Sequence, residues 1–293
     1  MKVAIAGPIV KDTVTVDGIS ATHMGGIPYY EAHVLRSLGI EVEVFITYGK
    51  SDEQWVLENF QNIKVHSIYV EKTLENKIFY SKNEPDHRHV PESIYDAGVI
   101  LPEEKLINEL RSFDYIVLGP LYYTNIPYEF FEKLKDKNLI FGNFGLFTYY
   151  EGGKMVWKNP ESLARVAPFL QYLFLDEKEI KFGAGKDTLE ESAQYFLSLG
   201  VKNVIVTEGS RGSMIFTPDR VYKIRAFPVK EIVDPTGAGD TYAAGYITAL
   251  SLFDDIERRG EFAAMVATMV VEKHGAFNGT IQEVLDRIQK HGK

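Results

Sequence analysis

Short, nearly continuous apolar runs recur along this chain, separated by segments with helical patterning. VAIAG (3–7), VEVFITY (42–48), YIVLG (115–119), LIFGN (139–143), YLFLD (172–176) and NVIVTEG (203–209) carry no clean alternation of polar and apolar residues. Such runs read as strands buried on both faces, as in a parallel sheet. The helical candidates between and around them are 29–38, 51–60, 102–112, 127–136, 161–167 and 188–199. Ser51 before DEQW and Pro102 before EEKL are helix-start signals. Strand–helix alternation predicts an α/β fold, a doubly wound sheet with helices on both faces. The last third turns largely helical, at 240–253, 261–273 and 281–290.

Two stretches break the rhythm. KDTVTVDGISATHM (11–24) and KTLENKIFYSKNEPDHRHVPE (72–92) are polar and roughly alternating, as half-exposed antiparallel strands are. They read as a small sheet built from separated insertions that covers one edge of the main body as a lid; plain surface hairpins are the alternative. With 293 residues and no linker, repeat or low-complexity tract, the chain reads as one α/β domain over 1–293. The discontinuous β lid is expected at about 11–26 and 68–100.

Charge and composition remove several function classes. A formal net charge of −9 argues against nucleic-acid binding, which calls for a basic face. The absence of cysteine excludes disulfides, thiolate metal sites and a cysteine nucleophile. No apolar run approaches the ~20 residues a membrane span needs. MKVAIAGPIVKD lacks a small-residue cleavage pattern, and Lys11 and Asp12 follow its apolar run, so it reads as a first strand. The expectation is a cytoplasmic protein without membrane or nucleic-acid partners.

The chemistry concentrates in DPTGAGDTYAAGY (234–246). Gly237, Ala238 and Gly239 let the backbone bend tightly and approach a ligand closely. The apolar, alanine-rich run that follows reads as a helix, so the amides of 237–240 should lie at its N-terminus. Unpaired N–H groups and the helix dipole favour negative charge there, which suits phosphate. Asp240 could take a proton from a hydroxyl while those amides neutralise the phosphoryl group under attack. Taken by itself, Asp240 is equally a helix-start acid beside sterically required glycines.

The full pattern D-P-T-G-A-G-D-x(3)-A-G-Y-I, Asp234 to Ile247, resembles the C-terminal signature of the ribokinase-like (PfkB) family of carbohydrate and nucleoside kinases. The resemblance implies a ribokinase-like three-layer α/β/α fold. It implies Asp240 as catalytic base and the amides of Gly237, Ala238 and Gly239 as the anion hole. VTEGSRGS (206–213) resembles a family turn that places Thr207, Gly209 and Gly212 along the nucleotide. AAMVATMVVEKHGA (263–276) resembles the adenine-side helix and turn, with Ala264, Thr268 and Gly275 nearby and a plain core helix as the alternative. FLDEKE (174–179) resembles the motif that orders water around Mg²⁺. Here Asp176 stands in the usual Asn place with Glu179 as the acid, and an acidic helix start is the alternative.

On the acceptor side, GPIVKD (7–12) resembles the family's first strand and its following acid, which implies Asp12 as a hydroxyl ligand with a surface turn acid as the alternative. HMGGIPYYEA (23–32) carries the paired glycines, Gly25 and Gly26, that in the family hinge the lid and approach the acceptor. These matches run from residue 3 to about 276. They imply ATP-dependent phosphorylation of a hydroxyl, expected to be a primary alcohol, on a sugar or sugar-like molecule. Nucleoside kinase and inositol (polyol) kinase are the alternatives. The implied cofactors are ATP and Mg²⁺, with a monovalent cation near Asp234 in some relatives. Family lids often pair across a homodimer, which the apolar Ile78 and Tyr80 would allow.

The match has gaps. An Asn usual a few residues after the glycine pair is absent, and Pro28, Tyr29 and Tyr30 occupy that region. Both tyrosines are open between helix core and pocket wall. DHR puts Arg88 at a lid tip, either reaching the acceptor or free on the surface, and Tyr80, Tyr122 and Tyr123 are further pocket candidates. Three other signals are set aside. FGAGKDT (182–188) lacks a leading glycine and has Asp187 where a phosphate loop needs Ser or Thr. HRH (87–89) lacks a third metal ligand nearby. Asn278-Gly279-Thr280 has no secretory context.

Overall fold

In the computed structural model, the described residues are 1–291 apart from 17, 82–83, 95–97, 143 and 152–153, with side chains at 14, 16, 19, 78, 80, 81, 84–94 and 154 also outside the description. The expectations placed on Ile78, Tyr80, His87, Arg88 and His89 therefore lie outside the described residues. The strands are β1 (Lys2–Pro8), β2 (Val10–Val16), β3 (Ile19–Gly25), β4 (Glu41–Gly49), β5 (Lys64–Val70), β6 (Leu74–Ser81), β7 (Glu84–Ile94) and β8 (Tyr115–Leu118). They continue with β9 (Asn138–Phe141), β10 (Thr148–Glu151), β11 (Lys154–Trp157), β12 (Leu170–Asp176), β13 (Asn203–Thr207), β14 (Ser213–Phe216) and β15 (Val221–Ile224). The helices are α1 (Ile27–Ser37), α2 (Glu53–Asn59), α3 (Glu104–Leu110), α4 (Tyr128–Lys133), α5 (Glu161–Val166), α6 (Glu177–Ala184), α7 (Leu189–Ser198), α8 (Ala238–Ala249), α9 (Ile256–Val271) and α10 (Ile281–His291).

A nine-stranded sheet runs in the order β15-β14-β13-β12-β9-β8-β1-β4-β5. Every pairing from β13 to β5 is parallel, and β14 and β15 continue it antiparallel. The strands alternate their side chains between two cores. Val3 and Ile5 of β1 join the core under α1, α2, α8, α9 and α10, whereas Ala4 and Ala6 join the core under α3 to α7. Fully apolar strands are what such a double burial demands. The three-layer doubly wound architecture read from the sequence is the observed one.

The sequence reading passed over β5, β14, β15 and the β10–β11 hairpin. β5 and β15 are sheet edges with half their residues facing solvent, so their polar alternation hides among loops. The two irregular stretches form a separate four-stranded sheet, β3-β2-β6-β7, in which β2 and β6, far apart in sequence, pair in parallel. Gly185, inside the rejected phosphate-loop fragment, is the left-handed residue (φ 62°) that ends α6, the ordinary role of a glycine there. Among the described residues no helix is long and apolar enough to cross a membrane.

At the amino end of the parallel strands, Glu43 is nearly buried yet surrounded by donors. Lys2 Nζ lies 2.8 Å away, Lys64 Nζ 2.9 Å and His66 Nε2 2.6 Å. Burial pushes its carboxyl up, but hydrogen bonds from Lys2, His66 and Lys64 outweigh that and hold it at about 2. A depressed folded pKa stabilises the fold above the unfolded value, and that stability is lost as pH falls through the folded one. Thermal melts should accordingly show wild type losing stability between pH about 4.5 and about 2 through Glu43. Glu43→Gln should start ~1–2 kcal/mol lower at neutral pH and lack that part of the acid loss. Parallel pH profiles for the two proteins would exclude Glu43 as an acid-labile clamp.

Candidate active site

All expected site residues except Gly275 and those of α9 lie at the carboxyl edge of the parallel strands or on the segments leaving it. That edge is where open α/β sheets bind ligands. Asp12 follows β1, Asp176 ends β12, Thr207 ends β13, and α8 begins beside them. A cavity of about 100 Å³ lies at this edge, and its polar lining includes Asp12, Asn76, Tyr30, Thr236 and Asp240. Among the described residues, its apolar wall is Val10, Ile27, Leu121, Tyr122, Phe144 and Met155, and Gly26 and Gly237 also line it.

Asp240 occupies the third position of α8, after Gly237 as N-cap with φ 74° and ψ 9°. That left-handed conformation turns the chain so that the helix N-terminus faces the cavity. Of the three cradle amides, Ala238 N–H donates to the Pro235 carbonyl at 3.2 Å, while those of Gly237 and Gly239 take no backbone acceptor among the described residues. Gly237 is glycine for a second reason: a Cβ there would lie 2.5–2.7 Å from the ring atoms of Tyr30. Thr236 N–H donates to Asp234 Oδ1 at 2.9 Å, which ties the start of the turn to the first acid of the motif.

Asp12 is only 5% exposed. Its Oδ1 accepts from Asn76 Nδ2 at 3.0 Å, across the β2–β6 pairing. Gly25 gives that carboxylate its room, because a Cβ at 25 would overlap Asp12 Oδ2. Gly26, with φ 96°, brings the chain past the Pro8 carbonyl and into α1. The paired glycines thus shape the acceptor side by letting a side chain and a carbonyl pass. Asn125, buried beneath, accepts from the Leu121 and Tyr122 amides at 2.9 and 2.8 Å and holds that part of the wall.

The open alternatives at the tyrosines separate. Tyr30 and Tyr122 line the cavity, whereas Tyr29 packs edge-on against His33 and Phe60 in the core. Tyr123 faces outward and stacks on Tyr149 at 3.9 Å. Asn76, Leu121, Phe144 and Met155 carry no sequence signal that selects them, whereas Thr236 lies inside the DPTGAGD motif. Glu31 was also missed. It is 1% exposed, with Oε2 lacking a partner among the described residues. Burial, and then the charge of Asp240, push its carboxyl well up.

On the donor side, Asp176 and Glu179 form a reciprocal capping box on α6. Asp176 Oδ1 accepts from the amides of Lys178 and Glu179 at 2.7 and 2.8 Å, and Glu179 Oε2 accepts from the Asp176 amide at 2.8 Å. This helix-start role leaves the other oxygen of each carboxylate outside the box. Among the described residues no group of three or more His, Cys, Asp or Glu could hold a metal directly. Two spare carboxylate oxygens fit a hard cation approached through water. Thr207, Gly209, Gly212, Ala264, Thr268 and Gly275 do not line the cavity. Gly212 turns with φ 100° against the Ile224 carbonyl; Ala264 is core, and the Thr268 hydroxyl donates to the Ala264 carbonyl at 2.8 Å.

The family model described as pfkB family carbohydrate kinase matches residues 20–283. The chain belongs to the PfkB family of carbohydrate kinases. A nucleoside kinase of Methanocaldococcus jannaschii is 26% identical over 275 residues, 92% of this chain and 86% of that protein. A cytidine kinase of Thermococcus kodakarensis is 24% identical over 96% of this chain and all of its own length. A solved pyrophosphate-dependent kinase of the ribokinase family superposes with a TM-score of 0.82 at 22% identity, over 98% of this chain and 100% of its own. The fold is thus the ribokinase fold, and the protein is a PfkB-family phosphotransferase with an alcohol group as acceptor.

Two measurements test this geometry. Gly237→Ala should lower stability by ~1–2 kcal/mol from the left-handed backbone alone, and more if the Tyr30 ring cannot move; an unchanged melting temperature would mean the turn is not built on that contact. Glu179 is pushed up to about 8 by burial, then by the charges of Asp176 and Asp240. A raised folded pKa contributes stability that is full below the unfolded value and lost as pH rises through the folded one. Relative to wild type, Glu179→Gln should therefore gain thermal stability from pH about 4.5 to about 8, and a flat difference would show that Glu179 is already ionised.

Proposed function

We propose that this PfkB-family enzyme transfers the γ-phosphoryl group of ATP to a hydroxyl, expected to be a primary alcohol, of a small sugar, polyol or nucleoside. One observation carries the reading: Asp240 and the turn residues Thr236 and Gly237 line the same cavity as Asp12. Asp12 orients the acceptor hydroxyls. Asp240 takes the proton of the reacting hydroxyl as its oxygen forms a bond to the γ-phosphorus. The bond from that phosphorus to the β,γ-bridging oxygen breaks, and its electron pair leaves with ADP. The amides of Gly237 and Gly239, with the dipole of α8, receive the growing negative charge. Ala238 contributes mainly by shaping the turn, since its N–H is spent on Pro235.

Asp176 and Glu179 would hold Mg²⁺ through water beside the donor phosphates, where the ion neutralises phosphate charge. The raised carboxyl of Glu179 is consistent with a group that ionises when a cation arrives. Thr207, Gly209, Gly212, Ala264, Thr268 and Gly275 would follow the nucleotide, with the β13 turn closest to the phosphates. Asp234 is a candidate ligand for a monovalent cation. The four-stranded sheet would act as a lid on the α/β body, excluding water from the transfer, and pair with a second copy. The reading puts the enzyme in the cytoplasm, where ATP is at hand.

A nucleoside acceptor is the second reading, favoured by the names of the two archaeal relatives. Pyrophosphate as donor is raised by the solved neighbour and is settled by the same assay. A coupled assay with ATP or pyrophosphate across pentoses, hexoses, inositols and nucleosides should give turnover with ATP. In it, Asp240→Asn should fold as wild type and lose about 10² or more in kcat, the range of general-base contributions. Near-normal turnover in that variant would remove Asp240 from the mechanism.

A further inference from the structure

Asp52 stands at the N-cap of α2, where an aspartate ordinarily accepts from the first amides of its own helix. Here it makes no such bond. Both of its oxygens turn to the small sheet instead. Oδ1 accepts from Lys11 Nζ at 2.7 Å, and Oδ2 accepts from the Thr73 hydroxyl. The Thr73 oxygen in turn accepts from the Gly49 amide at 3.0 Å. Lys11 is the second residue of β2, and Thr73 immediately precedes β6. One carboxylate on the α/β body thus grips both strands where they leave it.

Those two strands carry polar groups of the acceptor side. β2 and β6 pair in parallel, with Val10 opposite Leu74, Lys11 opposite Glu75 and Asp12 opposite Asn76. The Asp12–Asn76 hydrogen bond at 3.0 Å is therefore one rung beyond Lys11. Successive side chains of a strand point to opposite faces. Val10 and Asp12 line the cavity, so Lys11 points away from it and reaches Asp52. Its ammonium also lies 5.6 Å from the ring centre of Trp55 in α2, which pins the long side chain further. Anchoring Lys11 sets the rotation of β2 about its own axis, and with it the direction of the Asp12 carboxylate.

This is not a solvated surface pair, the kind that contributes little. Side-chain exposure is 26% at Lys11 and 17% at Asp52, and Thr73 is 4% exposed. Burial pushes the Asp52 carboxyl up, but hydrogen bonds from Lys11 and Thr73 and the charge of Lys11 outweigh that and hold it below its ordinary value. The apolar cluster at the same junction is small: Val10, Leu74 and Tyr122, with Leu121 packed against them. Apolar contact is non-directional, whereas charge-assisted hydrogen bonds fix geometry. Placement of the two strands accordingly falls to the polar contacts.

Resting on the phosphotransfer reading above, we propose that Asp52 is a positioning residue for acceptor binding: its carboxylate latches β2 and β6 to the α/β body and so fixes where Asp12 and Asn76 stand in the cavity. Asp52 is not among the residues lining that cavity; it acts through Lys11 and Thr73. The donor-side residues sit on α6, the β13 turn and the start of α8, so the latch governs the acceptor and leaves the donor alone.

The test uses the full-length chain with the better donor of ATP and pyrophosphate. The acceptor is whichever of ribose, glucose, myo-inositol and cytidine wild type phosphorylates fastest. Asp52→Ala should raise acceptor KM about tenfold or more, as loss of a charge-assisted hydrogen bond does, while donor KM stays within about twofold. Asp52→Asn can still meet Thr73 but lacks the charge for Lys11, and should raise it about threefold. Lys11→Met keeps the stem over Trp55 and should also raise acceptor KM. Added to Asp52→Ala it should change little more, because both act through one contact. Thr73→Ser keeps the hydroxyl and should bind acceptor as wild type does. Glu43→Gln, at the opposite edge of the large sheet, is the stability control: it should melt lower and leave both KM values unchanged. An unchanged acceptor KM in Asp52→Ala, or donor and acceptor KM rising together, would overturn this inference and leave the kinase reading intact. If Asp52→Ala does not fold, Lys11→Met decides on the same terms. No transfer to any acceptor by wild type would overturn the kinase reading itself, and this inference with it.

Discussion

A strand buried on both faces can present chemistry only at its ends. That constraint organises this molecule, because the central strands of the large sheet feed Val3 and Ile5 into one core and Ala4 and Ala6 into the other. Polar groups in the middle of such strands would be stranded without partners. The acids that matter therefore stand where strands stop: Asp12 past β1, Asp176 at the last residue of β12, and Asp240 on the helix that starts alongside. Parallel connection through helices also brings helix N-termini to this one edge, α8 among them. Negative charge from a phosphate is favoured there and disfavoured almost everywhere else on a chain carrying a net charge of −9.

Close approach is the second organising feature. Gly25 passes the Asp12 carboxylate, Gly26 passes the Pro8 carbonyl, and Gly237 passes the Tyr30 ring. In each case the missing side chain leaves room for a functional group of another element. The acceptor side and the phosphoryl cradle are consequently not separate modules. They meet across the α1–α8 contact, where Tyr30 and the buried Glu31 lie beside the start of α8.

Much of this was legible before any coordinates. The apolar runs marked the core strands to within one or two residues, since double burial leaves no freedom to place polar residues there. The edge strands β5 and β15 were not legible, because one face of each meets water and tolerates the residues of a loop. The two irregular stretches were recognised as strands, but not that β2 and β6 would pair in parallel across more than fifty residues of chain. Asp240 and its glycine turn stood out because they are contiguous. Asp176 and Glu179 were also visible, with both the metal reading and the helix-start reading in view, and the capping box gives the second a definite geometry.

By itself the sequence determined the layered α/β architecture, the family, and the position of the acid and turn that the chemistry turns on. These are written in local runs, where period, spacing and backbone freedom act over a few residues. Only the tertiary structure decided that Tyr30 rather than Tyr29 faces the cavity, that Tyr123 turns out while Tyr122 turns in, and that Asn76, Phe144 and Met155 join the wall. Those residues come from distant segments, and no local pattern specifies which side chains converge. Their meeting is set by how the small sheet, the carboxyl edge of the large one and the first turns of α1 and α8 pack together.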